Sequence, residues 1–403
     1  MFTHLHTHFI GSFSDSVLRI EDGIKKVKML GQTAIAMTEH GEIPYFYEFS
    51  DICKKYEIKP VFGVEIYFVD DAKKNIEKKD NTRFHLLLFA KNDIGYKNLV
   101  SLVSESWLKN NYNEKRGLVD WELLEKYHKG IIASTACFFN QVSQLYIKNN
   151  SQEAEKTLLR YKNIFENDFY VELANHEIED EKTSNKGLLE LAKKNDIKAI
   201  ATNDVHYLEI EDWLAHDVVM KTRFENISGF KAASQQFWLK SEKEMLDAGI
   251  PQEFLNNTQE IVEKCEFKLE DKKPALSADA DIESIDAELT LGNAAYVPET
   301  EYIEKDKADY FVKKIIGENH PDKDYYAEKI IGIPRKQIPN TNKIAYFPNI
   351  KENIPLKIVL GKVITQFNEV SCRRAGALIY PAIRSPLAEA LLEAKKVVKK
   401  ILK

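Results

Sequence analysis

The sequence predicts an α/β fold in which the first two thirds of the chain form a closed or nearly closed barrel of parallel strands. Strand-like apolar runs alternate with amphipathic helical stretches over the first 210 residues. Seven such runs can be counted, and β/α alternation of that kind builds parallel sheets. Nine side chains of metal-ligand type lie nearly all at the ends of those runs: His6, His8, Asp15, His40, Glu65, His85, Cys137, Asp204 and His206. A barrel brings the loops after its strands to one face, where ligands from different strand ends can meet. An open doubly wound sheet would scatter them.

The first run, Phe2 to His6, is extended, so His6 and His8 at i, i+2 point to the same side and can bind one ion or two adjacent ones. His4 shares that face as a further ligand or a supporting contact. The histidines alternate among hydrophobic residues, unlike the contiguous run of a tag. Helical periodicity over Ser16 to Leu30 precedes a strand at Thr33 to Thr38, which ends in Thr38-Glu39-His40-Gly41. Gly41 permits a sharp turn that leaves His40 at the rim. By itself, His40 would read as a hydrogen-bonded structural residue.

A helix over Tyr45 to Tyr56 leads to a strand at Pro60 to Phe68 with Glu65 inside the apolar stretch Gly63-Val64-Glu65-Ile66-Tyr67. A buried carboxylate costs several kcal/mol unless a cation or hydrogen bonds compensate. The plain alternative is that Glu65 points outward. His85 opens the strand Phe84 to Ala90 with the same two readings, and a helix over Asp93 to Leu108 follows. Gly130 to Thr135 leads to Cys137, which alone reads as a small buried residue. Helices over Ser151 to Phe165 and Ser184 to Asn195 flank the strand Phe169 to Leu173. The last run, Lys198 to Asn203, ends in Asp204-Val205-His206, a hard oxygen and a nitrogen ligand again at i, i+2. Ser or Asp heads several of the helices, where an N-cap is wanted. No single ligand decides the reading; the ordered set does.

With 403 residues, 44% of them hydrophobic, the chain exceeds what one core usually holds, and two or three domains are expected. Its 57 basic and 63 acidic side chains leave a net charge of −6, so no global field would hold it on nucleic acid or anionic lipid. Any polyanion contact must be local. The start has no basic region leading into an apolar one, and no apolar run approaches the roughly 20 residues that span a bilayer. A cytoplasmic chain with no membrane partner is expected. Cys53, Cys137, Cys265 and Cys372 form no CxxC, which argues against a disulfide framework and a structural zinc ribbon.

The ordered ligand set resembles the polymerase and histidinol phosphatase (PHP) domain, specifically the one that opens the alpha subunit of bacterial DNA polymerase III. The resembling stretches are His4-Leu5-His6-Thr7-His8 with Ser12 and Asp15, Thr38-Glu39-His40-Gly41, Lys59 to Tyr67 and Phe84-His85-Leu86-Leu87-Leu88. They continue through Ala90-Lys91-Asn92, Gly95 to Leu99, Ala136-Cys137, Phe169 to Leu173 and Ala201 to Leu208. Phe237 to Ser241 and Asn257 to Ile261 extend the similarity to about residue 270. Glu39 stands where the family usually has Asp, and Ile10-Gly11 where it has bulkier polar and aromatic residues.

The resemblance implies a distorted seven-stranded β/α barrel over residues 1–270 that binds three divalent ions, with all nine ligand positions kept. Mixed imidazole, carboxylate and thiolate ligation suits Zn, Mn or Fe better than Mg. Asp15 and Asp204 are also candidate catalytic groups for proton transfer. The implied activity is phosphoester hydrolysis, and in the polymerase setting a 3′–5′ proofreading exonuclease acting on the 3′ terminus of a single strand or primer. Polymerase or other replisome subunits are the implied partners. A non-catalytic scaffold, whose metal cluster holds the fold and recruits a separate polymerase, is the alternative. A phosphatase of the histidinol phosphate kind fits less well, because the motifs beyond the ligands match the polymerase branch.

Residues 271–299 read as an acidic linker, in which Asp279-Ala280-Asp281 is favoured as linker over a catalytic pair. Residues 300–403 read as a smaller α/β or mostly helical domain. Gly361 to Phe367 and Arg373 to Gly376 resemble part of a polymerase palm, so this region is either a reduced palm remnant or an unrelated small domain. No glycine- and serine-rich nucleotide loop with palm aspartates is evident, so polymerase activity by this chain alone is not expected. Ser385-Pro386 heads a basic amphipathic helix over Leu387 to Leu402, which packs on its own domain or touches a partner or DNA phosphates.

Overall fold

The structure, a computed structural model, describes residues 2–12, 15–107, 116–223, 234–269, 294–296, 299–338, 343–346 and 382–384. Two compact units divide the chain. One comprises Met1–Ile43, Phe49–Lys268 and Glu301–Lys336, the other Pro44–Glu48, Leu269–Thr300 and Gln337–Lys403.

The first unit is an α/β fold on a mixed sheet. Its strands run in the order β1 (Ala34–Met37), β2 (Lys59–Phe68), β3 (Phe84–Ala90), β5 (Ile131–Ser134), β6 (Phe169–Leu173) and β7 (Lys198–Ala201), and the short β4 (Leu118–Val119) pairs with β2. The expectation of an all-parallel sheet needs correction at β3. That strand pairs antiparallel with β2, through Tyr67↔His85, and with β5, through Leu87↔Ser134. The connection from β2 holds only the six-residue helix α3 (Ala72–Glu77) rather than a helix that carries the chain back along the sheet. The remaining pairs are parallel.

The expected strand Phe2 to His6 is not a strand. Its backbone groups go partly to side chains, since Thr3 N–H donates to Thr258 Oγ1 at 3.1 Å and Thr7 N–H to Thr38 Oγ1 at 2.9 Å. The segment nevertheless reaches both ends of the strand order. Ala36 N–H and Thr38 N–H donate to the carbonyls of His4 and Thr7, while Val205 N–H donates to His6 O and His8 N–H to Val205 O. Leu5 then packs in one cluster with Ala34, Val61, Leu87, Ile132, Tyr170 and Ile200, drawn from six strands. Burial of those apolar faces is the main stabilising term of the unit.

The helices fall between the strands. They are α1 (Ile20–Met29), α2 (Phe46–Lys55), α4 (Asp93–Ser106), α5 (Trp121–Tyr127), α6 (Gln141–Ile147), α7 (Ser151–Phe165) and α8 (Glu179–Lys194), followed by α9 (Trp213–Arg223), α10 (Glu242–Asp247) and α11 (Gln252–Lys264). Helix α1 starts four residues later than its periodicity suggests, because Ser16 Oγ donates to the carbonyls of His8 and His206 and holds the approach non-helical. Caps of α4 and α7 sit one residue ahead of the expected Asp and Ser: Asn92 accepts from Gly95 N–H and Asn150 from Glu153 N–H. Three acidic residues in the first turn of α8, favourable at the positive end of the helix dipole, carry its start back to Glu179.

Helices α12 (Lys305–Ile316) and α13 (Lys323–Ile330), which the sequence groups with the C-terminal region, share a core with α9. Phe311, Val312, Ala327 and Ile330 cluster with Val17, Tyr207, Val218 and Trp238. The Tyr325 hydroxyl donates to Asp212 Oδ1 at 2.7 Å, and the Lys329 ammonium lies 3.2 Å from the same carboxylate. In the second unit, β9 (Lys343–Tyr346) pairs antiparallel with β8 (Ala294–Tyr296) and β10 (Ala382–Arg384). The proposed acidic pair at 279–281, the palm-like stretches and the basic helix lie outside the described residues. Among the described residues no helix is long and apolar enough to cross a membrane, and Cys53, Cys137 and Cys265 are free thiols.

Candidate metal centre

All nine expected ligands come together. His6 and His8 arrive on the N-terminal segment and Asp15 on the turn before α1. His40 follows β1, and Asp204 and His206 follow β7. Glu65 sits inside β2 and is buried with the cluster, so the outward reading of that carboxylate is excluded. His85 lies at the start of β3 rather than at a strand end. The antiparallel direction of β3 brings it to the rim, with Nδ1 2.9 Å from Glu65 Oε1. Three backbone turns are set by unusual conformations: Ala136, Asp204 and Gly41 all have positive φ, at 64°, 43° and 63°. Left-handed non-glycine residues beside a ligand cluster are where strain is commonly retained for function.

Three histidines are aimed by the same device. His6 Nδ1–H donates to Glu172 Oε1 at 2.6 Å, and His206 Nδ1–H to the Asp204 carbonyl at 2.7 Å. His8 Nδ1 lies 3.0 Å from Ser12 Oγ, which itself donates to Glu39, so here too the ring is the donor. In the neutral ring each Nε2 is thereby the nitrogen that carries the lone pair. Anchoring one ring nitrogen on a carboxylate, carbonyl or hydroxyl while the other faces the centre is the usual support of metal-bound imidazole.

Those lone pairs converge. His6 Nε2 lies 3.0 Å from His8 Nε2, 3.1 Å from Asp204 Oδ1 and 3.2 Å from Glu65 Oε1. His8 Nε2 is 3.2 Å from Asp204 Oδ1. Atoms bound to a common ion at about 2.0–2.2 Å stand roughly 3.4 Å apart at tetrahedral angles, so these separations suit a divalent cation. His40 Nδ1, Glu65 Oε2, Asp204 Oδ1 and His216 Nε2 are buried with no hydrogen-bond partner among the described residues. His40 Nδ1 and Glu65 Oε2 are 2.6 Å apart, yet their angles make no hydrogen bond. Orphaned acceptors facing each other call for a positive charge between them.

The ionisation pattern says the same. Burial lowers the pKa of His6, but the carboxylates of Asp204, Glu172 and Glu65 outweigh it and raise it well above 6.5. Burial and repulsion from His40 and His206 push His8 down to about 3. Burial opposes ionisation of Asp15, Glu65 and Asp204, yet the surrounding imidazoles hold all three below the usual carboxylate range. Cys137 stands at the edge, with Sγ 3.6 Å from His85 Nδ1 and 3.9 Å from Glu65 Oε1. Burial and the charges of Glu65 and Asp204 push its thiol up, so a thiolate there requires a cation.

His4 is not part of the cluster. Its Nε2 donates to Lys240 O at 2.7 Å, which turns the ring away. Sequence reasoning missed Glu172, which accepts from His6, Thr202 and Ser134. The signal was available: a lone carboxylate in the apolar strand Phe169–Leu173, the pattern that singled out Glu65. His216 was missed as well. The substituted Glu39 has a defined task, since its carboxylate accepts from Phe9 N–H, Gly11 N–H and Ser12 Oγ and pins the first loop.

Residues 4–176 match the PHP domain family. The chain carries a PHP domain. Over 287 residues it is 36% identical to DNA polymerase III subunit alpha of Borreliella burgdorferi, an alignment covering 68% of this chain and 24% of that protein. The Helicobacter pylori protein of the same name is 38% identical over 292 residues, with the same coverage of 68% and 24%. The chain thus spans about a quarter of the length of the curated relatives it matches. Among solved structures, an amidohydrolase from Chromobacterium violaceum overlaps 51% of this chain and 88% of its own at 12% identity, with a TM-score of 0.36.

Proposed function

We propose that the PHP domain of this chain is a metal-dependent phosphoesterase that removes nucleotides from a DNA 3′ terminus, the 3′–5′ exonuclease of a replication polymerase. The observation that carries this reading is the convergence of anchored imidazoles on carboxylates, His6 and His8 offering Nε2 to Glu65 and Asp204 and His206 offering Nε2 to Asp15. The names of the relatives supply the DNA setting. In that setting the partners are a single strand or primer end and other replisome subunits, in the cytoplasm. We read the N-terminal segment that joins β1 to the end of β7 as closing a distorted seven-stranded barrel over residues 1–270, ahead of the linker and C-terminal domain.

The nine residues suit three divalent ions, Zn, Mn or Fe by their mixed ligation. When bound, such ions lower the pKa of water toward neutrality and stabilise charge on attacking and leaving oxygens. The chain's own residues do the rest. Glu172 and Ser12 hold His6 and His8 in one tautomer and orientation. Asp15 and Asp204 stay ionised and so present negatively charged oxygens to the ions. His6 and His8 are sealed, whereas the side chains of His40, Asp15 and His85 are 12%, 15% and 18% exposed. Substrate enters at that edge.

The test is release of nucleotides from a 3′-labelled single strand and from a mismatched primer terminus, with Mn²⁺ or Zn²⁺, by wild type and by a His6→Ala, His8→Ala double variant. Wild type should degrade both and the variant should lose at least about 100-fold, on the scale of removing groups that act only in the transition state. The scaffold reading draws on the complete burial of His6 and His8. It takes over if fully metallated wild type leaves both substrates intact.

A further inference from the structure

Helix α9 presents a histidine to the metal centre that the nine expected ligands do not include. His216 follows Ala215 and precedes Val218 and Val219, which are fully buried in the core shared with α12 and α13. The ring is therefore held on a rigid element. Its side chain is only 9% exposed and stands beside His206, with ring centroids 5.3 Å apart. Nε2 has no hydrogen-bond partner among the described residues. It lies 3.7 Å from Asp15 Oδ1, too long for a hydrogen bond. A histidine buried only to fill the core would pair that nitrogen.

The same Asp15 oxygen lies 3.6 Å from His206 Nε2, and the three ligand atoms are within 4.8 Å of one another. The other Asp15 oxygen faces His40 Nε2 at 3.0 Å. We propose that His216 Nε2 is a metal ligand, completing with Asp15 and His206 a two-histidine, one-carboxylate set for a single divalent cation, with Asp15 shared toward the His40 side. Sets of this composition bind Zn²⁺ and first-row ions such as Mn²⁺ or Fe²⁺. The inference rests on the metal reading above and adds to it. It also gives α12 and α13 a part in the site, because they pack against the helix that places His216.

The test uses the full chain, loaded with Mn²⁺, Zn²⁺ or Co²⁺, and compares wild type with His216→Ala, His216→Gln and His206→Ala. The readouts are the number of ions kept against a competing chelator and the visible spectrum of the Co²⁺ form. Both His216 variants should keep one ion fewer, or hold one ion at least about tenfold more weakly, and should alter the Co²⁺ bands as His206→Ala does. The Gln variant keeps the bulk of the ring and decides the matter if the Ala variant does not fold. Unchanged stoichiometry, affinity and spectrum in the Gln variant would overturn the assignment. If wild type itself retains no divalent ion, the metal reading falls and this inference with it.

Discussion

His4 has no exposed surface, and its Nδ1 finds no partner among the described residues while Nε2 donates to Lys240 O. Burial, above the opposing pull of that carbonyl, lowers its pKa from 6.5 to about 4. The unfolded chain therefore binds a proton between those values that the folded chain refuses. Stability from neutral His4 is complete above pH 6.5 and is lost as pH falls toward 4. Between pH 7 and pH 5 this amounts to about 2 kcal/mol. His4→Gln keeps a donor for Lys240 O and removes the titration, so its urea midpoint should fall less across that range than wild type's. Parallel pH profiles for the two proteins would sink this account. The same residue shows why side-chain direction was illegible in the sequence. His4, His6 and His8 share one face of an extended segment, and only the Lys240 carbonyl, 236 residues away, turns one of them aside.

At the scale of elements, α4 is fixed by a backbone contact. A Cβ on Gly95 would stand 1.7 Å from Gly130 O and 2.6 Å from its carbonyl carbon, neither of which can swing away as a side chain would. Alanine is the better helix former by about 1 kcal/mol. Here overlap wins, and Gly95→Ala should cost more than about 3 kcal/mol, seen as a large drop in melting temperature. A variant as stable as wild type would show that the approach of α4 to the turn before β5 is loose. The bounds of β3 and β6 were legible because bounded apolar runs have few ways to fold. The direction of β3 was not, since an apolar run reads the same both ways and only its pairing with β2 and β5 reveals the reversal. Nor was Leu118–Val119, two residues being too few for a period. His85 was thus picked out correctly as a cluster residue for an incomplete reason: it opens its strand, and the reversal brings it to the site.

At the scale of the whole molecule, the join between α9 and the 301–336 segment matters most. Composition drew a boundary near residue 300, because the acidic stretch before it looks like a linker. Packing of the amphipathic faces of α12 and α13 is a long-range event that local pattern does not encode. Phe311 is buried in that shared core, whose members include Val312, Tyr207 and Val218. Phe311→Ala leaves a cavity and should cost about 3–5 kcal/mol. If the segment is part of the PHP unit's core, the loss will appear as faster amide exchange in α9 and around Tyr207 as well as in α12 and α13, and as a lower melting temperature for the unit. If exchange rises only within residues 305–330, the segment is a separate piece that merely rests on α9. The first outcome would also loosen the helix that bears His216, so the variant should lose part of its hold on the cation assigned to Asp15, His206 and His216 although no ligand has been changed.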